Sequence, residues 1–220
     1  IIAKLIIDSE KQHMQGKFIT VEGIDGAGKT TQLAWLAEIL QRHGITFIET
    51  REPGGTALGE QLRQLLLDET ISMHAETEAL LMFAARREHL DKVILPVLAA
   101  GQWVISDRFT DASFAYQGGG RELENGKLVT LEQWVQGDLQ PDLTLYFDVP
   151  VELAQQRIKQ IKHADRFEQE QFDFFQRVRQ AYLQRAKLHP QRIRKIDGSL
   201  SLEAVKIAVE QALQPLLKHA

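Results

Sequence analysis

Eight residues near the start of the chain constrain its fold more than any others. They read Gly23-Ile24-Asp25-Gly26-Ala27-Gly28-Lys29-Thr30, which is the spacing of a Walker A phosphate-binding loop: a glycine, four residues, then Gly-Lys-Thr. Residues 17–22 before the loop are apolar enough for a buried strand, and residues 31–43 after it carry a helical apolar stripe. The competing interpretation, a glycine-rich turn with an incidental lysine, is disfavoured by both flanks.

Each part of this motif has a function in phosphate binding. Glycines let the backbone fold into a concave set of N–H donors, and the helix that follows adds the positive end of its dipole. Lys29 can then reach the β- and γ-phosphates of a nucleoside triphosphate, and the Thr30 hydroxyl is placed to bind Mg²⁺. The sequence therefore predicts a nucleotide site around this loop.

Composition narrows the class of protein further. The 220 residues are 44% hydrophobic and 25% charged, values that are ordinary for a globular domain able to bury one core. The net charge of −4 gives no general basic field, so nucleic acid is not an expected partner. The absence of cysteine excludes disulfides and thiolate metal sites, and it suits a reducing, cytoplasmic compartment.

Residues 1–13 are expected to lie outside the fold. The apolar start, Ile1 to Ile7, is too short to span a bilayer, so a membrane is not an expected partner. His13-Met14 resembles a cloning junction, and Met14 resembles a natural start. The segment is an expression tag or a native extension. We expect one domain from residue 14 to residue 220, since no linker or repeat divides the sequence.

Five short apolar segments alternate with helical patterns along the chain. Such alternation predicts a parallel sheet covered by helices on both faces, the three-layer α/β fold of P-loop NTPases. The predicted strands are 17–22, 45–50, 103–106, 143–149 and 193–196. Helices are predicted at 31–43, 58–67, 75–100 with a kink at Pro96, 131–139, from 151 onward, 172–188 and 202–217.

Ligands of parallel sheets bind beyond the carboxyl ends of the strands, where the sequence places Arg51-Glu52 and Asp107-Arg108. Asp107 can hold Mg²⁺ and Arg108 can grip a phosphate with two hydrogen bonds, although a surface salt bridge is the alternative interpretation. Further candidates for binding a second anionic substrate, each of which could instead be a solvated surface charge, are Arg51, Arg63, Arg87 and Arg121.

Two more segments carry candidate chemistry. Phe83 and Arg87 lie four residues apart in a helical pattern, so the ring can stack on a base whose edge the guanidinium bonds, or it can belong to the core. Residues 157–168 are densely charged and lack an apolar stripe until Phe167. This run is either a solvated helix face or a lid whose cations approach the phosphates when it closes.

Together these motifs resemble the bacterial members of the thymidylate kinase family, which are P-loop nucleoside monophosphate kinases. The matching stretches are VEGIDGAGKTT at 21–31, REPGGT at 51–56, FAARR at 83–87, DRF at 107–109, AYQGGGR at 115–121, PDLTL at 141–145 and DRFE at 165–168. The loop alone identifies only a superfamily, whereas this combination is specific. The resemblance covers residues 14–220 and implies a homodimer that phosphorylates dTMP to dTDP with ATP and Mg²⁺, in dTTP synthesis.

The resemblance also implies roles for individual residues. Phe83 would stack on thymine, Arg87 would bond its carbonyl edge, and Tyr116 would lie against the deoxyribose. The other residues implied at the dTMP site are Glu52, Arg63, Arg108, Ser113 and Gln117. ATP would lie across Gly23, Ile24, Asp25, Gly26, Ala27, Gly28, Lys29, Thr30 and Thr31, with Arg157 near the adenine or its phosphates. Catalytic roles fall to Lys29, Arg108, Asp25 and Arg166, and metal binding falls to Thr30 and Asp107.

The sequence departs from the family pattern in two places. Phe109 replaces the Tyr or His that often follows Asp-Arg, which removes one polar atom. Members whose phosphate loop lacks a basic residue usually supply a catalytic arginine from the lid, and that position falls here at Ile161. The candidates to replace it are Lys159, Lys162 and Arg166, of which the lysines offer a point charge and not a fork.

Two other functions are compatible with the phosphate loop. A kinase of another nucleotide, such as dUMP or CMP, would share the chemistry and differ in base recognition. A GTPase-type switch protein would carry an Asn-Lys-x-Asp sequence after a strand, and the sequence contains none. For a kinase we expect in-line transfer of the γ-phosphoryl group to an acceptor phosphate oxygen, which is already an anionic nucleophile and needs no strong base.

Overall fold

Five strands form the centre of the molecule. The computed structural model of the protein describes residues 16–158, 166–167 and 170–218. The strands are β1 (Phe18–Glu22), β2 (Phe47–Arg51), β3 (Trp103–Asp107), β4 (Leu143–Asp148) and β5 (Ile193–Asp197). All adjacent pairs are parallel, and the order across the sheet is β2-β3-β1-β4-β5. The predicted parallel α/β fold is confirmed.

Helices cover both faces of this sheet. They are α1 (Lys29–Arg42), α2 (Ala57–Leu67), α3 (Ala75–His89), α4 (Leu95–Ala99), α5 (Thr110–Ser113), α6 (Asn125–Gln136), α7 (Val151–Ile158), α8 (Phe172–Leu188) and α9 (Leu202–Leu217). Two π-helical turns, Leu90–Ile94 and Phe114–Gly120, follow α3 and α5 respectively. Among the described residues, no helix combines the length and the apolar character needed to cross a membrane.

The central strands are apolar because they are buried on both sides, as strands of a parallel sheet must be. Every residue of β1 is buried. Ile19 and Val21 pack with residues of α1, α8 and α9 in one core, and Phe18 packs with residues of α3, α4 and α6 in the other. The sheet therefore separates two cores, and only its carboxyl edge is left for polar chemistry.

The segment predicted as one kinked helix, 75–100, contains a π-helical turn directly before Leu95 and Pro96. The backbone stays helical through this turn, since His89, Leu90, Ile94 and Leu95 all have right-handed helical dihedral angles. The irregularity is therefore a change of hydrogen-bond spacing just before the proline. The helix predicted at 131–139 begins earlier, at Asn125, and ends at Gln136.

The glycine-rich segment after β3 is a π-helical turn pressed against α8. A Cβ atom at Gly119 would lie 2.6 Å from the Cβ of Ala181, and one at Gly120 would overlap the ring of Phe174. These glycines are therefore needed for close packing. The packing fixes the preceding residues, Tyr116 and Gln117, at the carboxyl edge of the sheet.

Several predictions concern positions outside the described residues. These are the assignment of residues 1–13, the start at Met14, and the lid positions Lys159, Ile161 and Lys162. The domain boundary and the lid stay predictions.

Candidate active site

The phosphate loop connects β1 to α1 through backbone conformations that favour glycine. Gly23, Gly26 and Gly28 have φ angles of 142°, 79° and 89°. A side chain at Gly23 would also meet the carbonyl oxygen of Phe147, since a Cβ atom there would lie 2.7 Å from it. The loop thus obtains its concave shape at three positions where only glycine avoids backbone strain.

Lys29 curls back over this loop. Its Nζ donates to the carbonyl oxygens of Gly23 at 3.1 Å and Ile24 at 3.2 Å, and to Asp25 Oδ1 at 3.2 Å. Burial, and next the charge of Arg108, lower the pKa of the Lys29 ammonium from its ordinary value. The lysine is thus a buried cation at the point where the motif predicts phosphates.

Arg108 connects the loop to the space beside it. Its Nη1 donates to the Gly23 carbonyl at 2.8 Å, its Nη2 donates to Asp25 Oδ1 at 2.7 Å, and its guanidinium lies 4.9 Å from the ring centre of Tyr116. Although burial opposes ionisation, Arg108 and Lys29 hold the pKa of Asp25 well below its usual range. Arg108 has a φ of 71°, an uncommon conformation for a residue with a side chain.

A cavity of about 90 Å³ opens beside Arg108. It lies between the carboxyl edge of the sheet and helices α2 and α3. The structure brings seven of the predicted site residues together at its wall: Asp25, Glu52, Arg63, Arg108, Ser113, Tyr116 and Gln117. Met82, Arg86, Phe109 and Phe167 also line it.

The predicted pair Phe83 and Arg87 is not at this wall. Phe83 is 1% exposed and packs in the core with Phe18 and Leu90. Arg87 is exposed and donates to the Val135 carbonyl at 2.9 Å. The pair one position earlier, Met82 and Arg86, lines the cavity with the same spacing of four residues. Sequence periodicity predicts such a pair but does not distinguish these two registers.

Arg86 is held at the cavity wall by several contacts. Its Nε donates to Glu52 Oε2 at 2.7 Å and its Nη2 donates to Ser113 Oγ at 3.0 Å. Its guanidinium lies 4.6 Å from the ring centre of Phe83, which therefore supports the arginine from within the core. The buried Nη1 has no hydrogen-bond partner within the described part of the chain. Arg86 thus retains one oriented donor beside the cavity.

Arg166, a predicted catalytic residue, lies elsewhere. Its Nη2 donates to Glu78 Oε2 at 2.7 Å, and its Nε donates to the Leu66 carbonyl at 2.8 Å. Arg121 donates to the same carboxylate at 3.1 Å and pairs with Glu170. Neither arginine belongs to the residues that line the cavity. The structure places both in an ion cluster around the buried Glu78, in the first turn of α3.

Glu22 and Tyr182 are site residues that the sequence reasoning missed. Glu22, fully buried at the end of β1, accepts hydrogen bonds from the Phe109 N–H and from the Tyr182 hydroxyl, both at 2.7 Å. The same hydroxyl accepts from Arg108 Nη1 at 3.3 Å. Glu22 therefore restrains the backbone next to Arg108, the residue with the uncommon φ, and, through Tyr182, the Arg108 side chain. In the sequence, the signal that could have identified Glu22 is a single carboxylate at the end of a mainly apolar strand.

The burial of Glu22 should make the stability of the fold depend on pH. Burial, and next the charge of Asp111, raise the pKa of Glu22 from 4.5 to about 8. A raised carboxyl pKa stabilises the fold below pH 4.5, and the contribution is lost as pH rises through 8. From pH 5 to 8 the unfolding free energy of the wild type should therefore fall relative to that of Glu22→Gln, by on the order of 3 kcal/mol. Urea titrations at several pH values measure this difference.

The exposed Glu38→Gln variant is the control for this measurement, and its unfolding free energy should follow that of the wild type across the same pH range. Parallel pH profiles for the wild type and Glu22→Gln would show that Glu22 does not titrate in this range.

Two features on the other side of the loop concern the nucleotide and a metal. Arg157 donates to the carbonyls of Gly26 and Gly198, both at 3.2 Å, and lines a second cavity with Thr31 and Gln32.

At the end of β3 the Asp107 Oδ1 atom is buried and, among the described residues, has no hydrogen-bond partner. The described residues contain no cluster of three His, Cys, Asp or Glu side chains that could hold a metal by themselves.

Comparisons with known proteins agree with this arrangement. The family model for thymidylate kinase matches residues 21–209. The thymidylate kinase of Nitrosomonas eutropha is 67% identical over 200 residues, covering 91% of this chain and 93% of that protein. The Cupriavidus metallidurans enzyme of the same name is 60% identical over 203 residues, covering 92% of this chain and 100% of that protein.

A solved structure shows the same fold. The crystal structure of thymidylate kinase from Ehrlichia chaffeensis superposes with a TM-score of 0.75 at 36% identity, covering 91% of this chain and 99% of that one. Both this likeness and the sequence identities extend over nearly the whole chain. With the phosphate loop, the arginine-lined cavity and these relatives taken together, the chain belongs to the thymidylate kinase family.

Proposed function

We propose that the cavity binds dTMP, that the phosphate loop binds ATP, and that the γ-phosphoryl group passes between them to give dTDP and ADP. The observation that carries this proposal is the position of Arg108, which bonds the loop at Gly23 and at the same time lines the cavity. A phosphate held there would lie beside Lys29 and Asp25. As a member of the thymidylate kinase family, the chain phosphorylates dTMP.

The chemistry requires positioning and neutralisation of charge more than proton transfer. The acceptor phosphate is itself the nucleophile, so the residues act by aligning two anions that repel each other. Lys29 is a buried cation on the loop, Arg108 is a partly buried cation beside it, and Arg63 lines the cavity and donates to the Pro53 carbonyl. Because Arg166 is held on Glu78, we assign the lid cation to Lys159 or Lys162 and not to Arg166.

Mg²⁺ is the metal we propose for this site, with the Thr30 hydroxyl and Asp107 as its protein ligands. The buried, unpartnered Asp107 Oδ1 fits a hard cation, which prefers oxygen ligands. When bound, the ion neutralises charge on the transferred phosphoryl group.

Base recognition is proposed to use Met82 and Arg86. Arg86→Lys should raise the KM for dTMP by about tenfold to 100-fold, since a lysine cannot bond Glu52, Ser113 and a base together. The matched change Arg87→Lys should leave the KM within about twofold of the wild type, because that side chain lies outside the cavity. Steady-state kinetics with dTMP measure both values. A raised KM in Arg87→Lys alone would restore the register predicted from the sequence.

A phosphorylation assay over dTMP, dUMP, dCMP and CMP, with ATP and with GTP as donors, tests the function. We expect dTMP with ATP to give the highest kcat/KM. A preference for dCMP or CMP would indicate a kinase of another nucleotide. Tight GTP binding without transfer to any monophosphate would indicate the switch protein.

We also propose a homodimer located in the cytoplasm. The helix α3 carries Leu80, which is 53% exposed beside an apolar groove formed with Leu123 and Leu131. Such a surface suits contact with another copy of the chain. Sedimentation equilibrium tests the oligomeric state.

A further inference from the structure

Glu78 is a buried carboxylate in the first half of α3 that does not line the cavity. It lies one helical turn before Met82 and two turns before Arg86, on the face of α3 that is directed to the site. Three donors satisfy it: Gln117 Nε2 at 2.8 Å, Arg121 Nε at 3.1 Å and Arg166 Nη2 at 2.7 Å. Of these three, only Gln117 also lines the cavity.

The Glu78 contact fixes which end of the Gln117 amide faces the site. An ionised carboxylate only accepts hydrogen bonds, so the group directed to it must be the amide nitrogen of Gln117. The carbonyl oxygen of the same amide is then the group that Gln117 offers to a ligand. Arg86 lines the same cavity, and its Nη1 is a buried donor with no partner in the described chain. The cavity wall therefore offers one acceptor and one donor.

This pair matches one class of pyrimidine. Thymine and uracil have an N3–H donor next to the O4 acceptor, which complements a carbonyl and a guanidinium. Cytosine has the opposite arrangement, with an N3 acceptor next to an amino donor. A site that pairs with the first edge leaves buried groups unpaired when it meets the second. We propose that Glu78 is a positioning residue that selects pyrimidine-2,4-diones by locking the Gln117 amide; this deepens, and rests on, the proposed dTMP site.

The substitution Glu78→Gln tests the lock directly. Arg121 and Arg166 can only donate, so they would retain the new carbonyl oxygen and leave the new NH₂ group facing Gln117. Gln117 would then turn its own carbonyl toward residue 78 and present its NH₂ group to the cavity. The ratio of kcat/KM for dTMP to that for dCMP should fall by at least about tenfold.

Two comparisons separate this effect from a general loss of structure. The ratio for dTMP to dUMP should stay within about twofold, because both bases carry the same N3–H and O4. The control Glu76→Gln changes a carboxylate on the same helix that pairs with Lys127 at the surface, and it should leave both ratios unchanged. Equal losses of kcat/KM for all three substrates in Glu78→Gln would overturn the proposal.

A second variant keeps the test decisive if Glu78→Gln does not fold. Gln117→Leu removes the carbonyl itself and should lower the dTMP to dCMP ratio to a similar extent; an unchanged ratio would overturn the proposal. Where both variants fold, adding Glu78→Gln to Gln117→Leu should change the ratio no further, and an additional tenfold fall would contradict action through Gln117. Failure of the proposed dTMP site itself would be seen separately, as a wild type that does not prefer dTMP.

Discussion

Replacing Lys29 with alanine should lower kcat by about 100- to 1000-fold, the usual effect of removing one electrostatic group from a charged transition state. Lys29 is the buried cation that lies on the phosphate loop itself, bonded to Gly23, Ile24 and Asp25. The variant should still bind dTMP with a dissociation constant within about fivefold of the wild type, since the cavity residues remain in place.

Single-turnover kinetics and calorimetric titration with dTMP measure these two quantities. Lys92→Ala, at an exposed lysine, is the control and should not change either of them. If Lys29→Ala lost dTMP binding while its turnover stayed normal, Lys29 would belong to the acceptor site and not to the ATP site.

Arg108→Lys should lower kcat/KM for dTMP by about 100-fold, although it keeps the charge. The guanidinium uses Nη1 and Nη2 to reach Gly23, Tyr182 and Asp25, at distances of 2.8, 3.3 and 2.7 Å. An ammonium at the end of a lysine cannot reproduce this fork and also hold a phosphate. Because Arg108 contacts both the loop and the cavity, we expect the KM for dTMP and kcat to change together.

The control for this prediction is Arg51→Lys. Arg51 ends β2 much as Arg108 follows β3, but it pairs with Glu60 at the surface and does not line the cavity. Its kcat/KM should remain within about twofold of the wild type. Thermal melting of both variants distinguishes lost activity from lost structure, and a fully active Arg108→Lys would remove Arg108 from the mechanism.

The fold was predictable because its signals are local. Apolar strands buried on both faces, helical stripes and the glycine spacing of the loop each depend on a few neighbouring residues. The strand positions agree with the structure to within about two residues. The glycine-rich segment at 114–120 was harder to interpret, since its π-helical turn depends on contact with α8.

The site was predictable only in part, because some of its residues are selected by packing and not by local sequence signals. Asp25, Glu52 and Arg108 follow strands or loops whose positions the topology fixes, and all three line the cavity. On α3 the sequence offers two arginines in succession, and a rotation of about 100° separates their directions. Only packing against the second core, which buries Phe83 and leaves Arg87 exposed, decides that Arg86 faces the site.

The sequence by itself therefore determined the class of fold, the phosphate loop and the family, because these depend on residue types at fixed spacing. The tertiary structure decided which polar groups meet: Glu22 with Tyr182 and Arg108, and Glu78 with Gln117, Arg121 and Arg166. The members of each group are far apart in the chain. Their hydrogen bonds exist only after the sheet and helices have brought them into contact, so no local pattern could predict them.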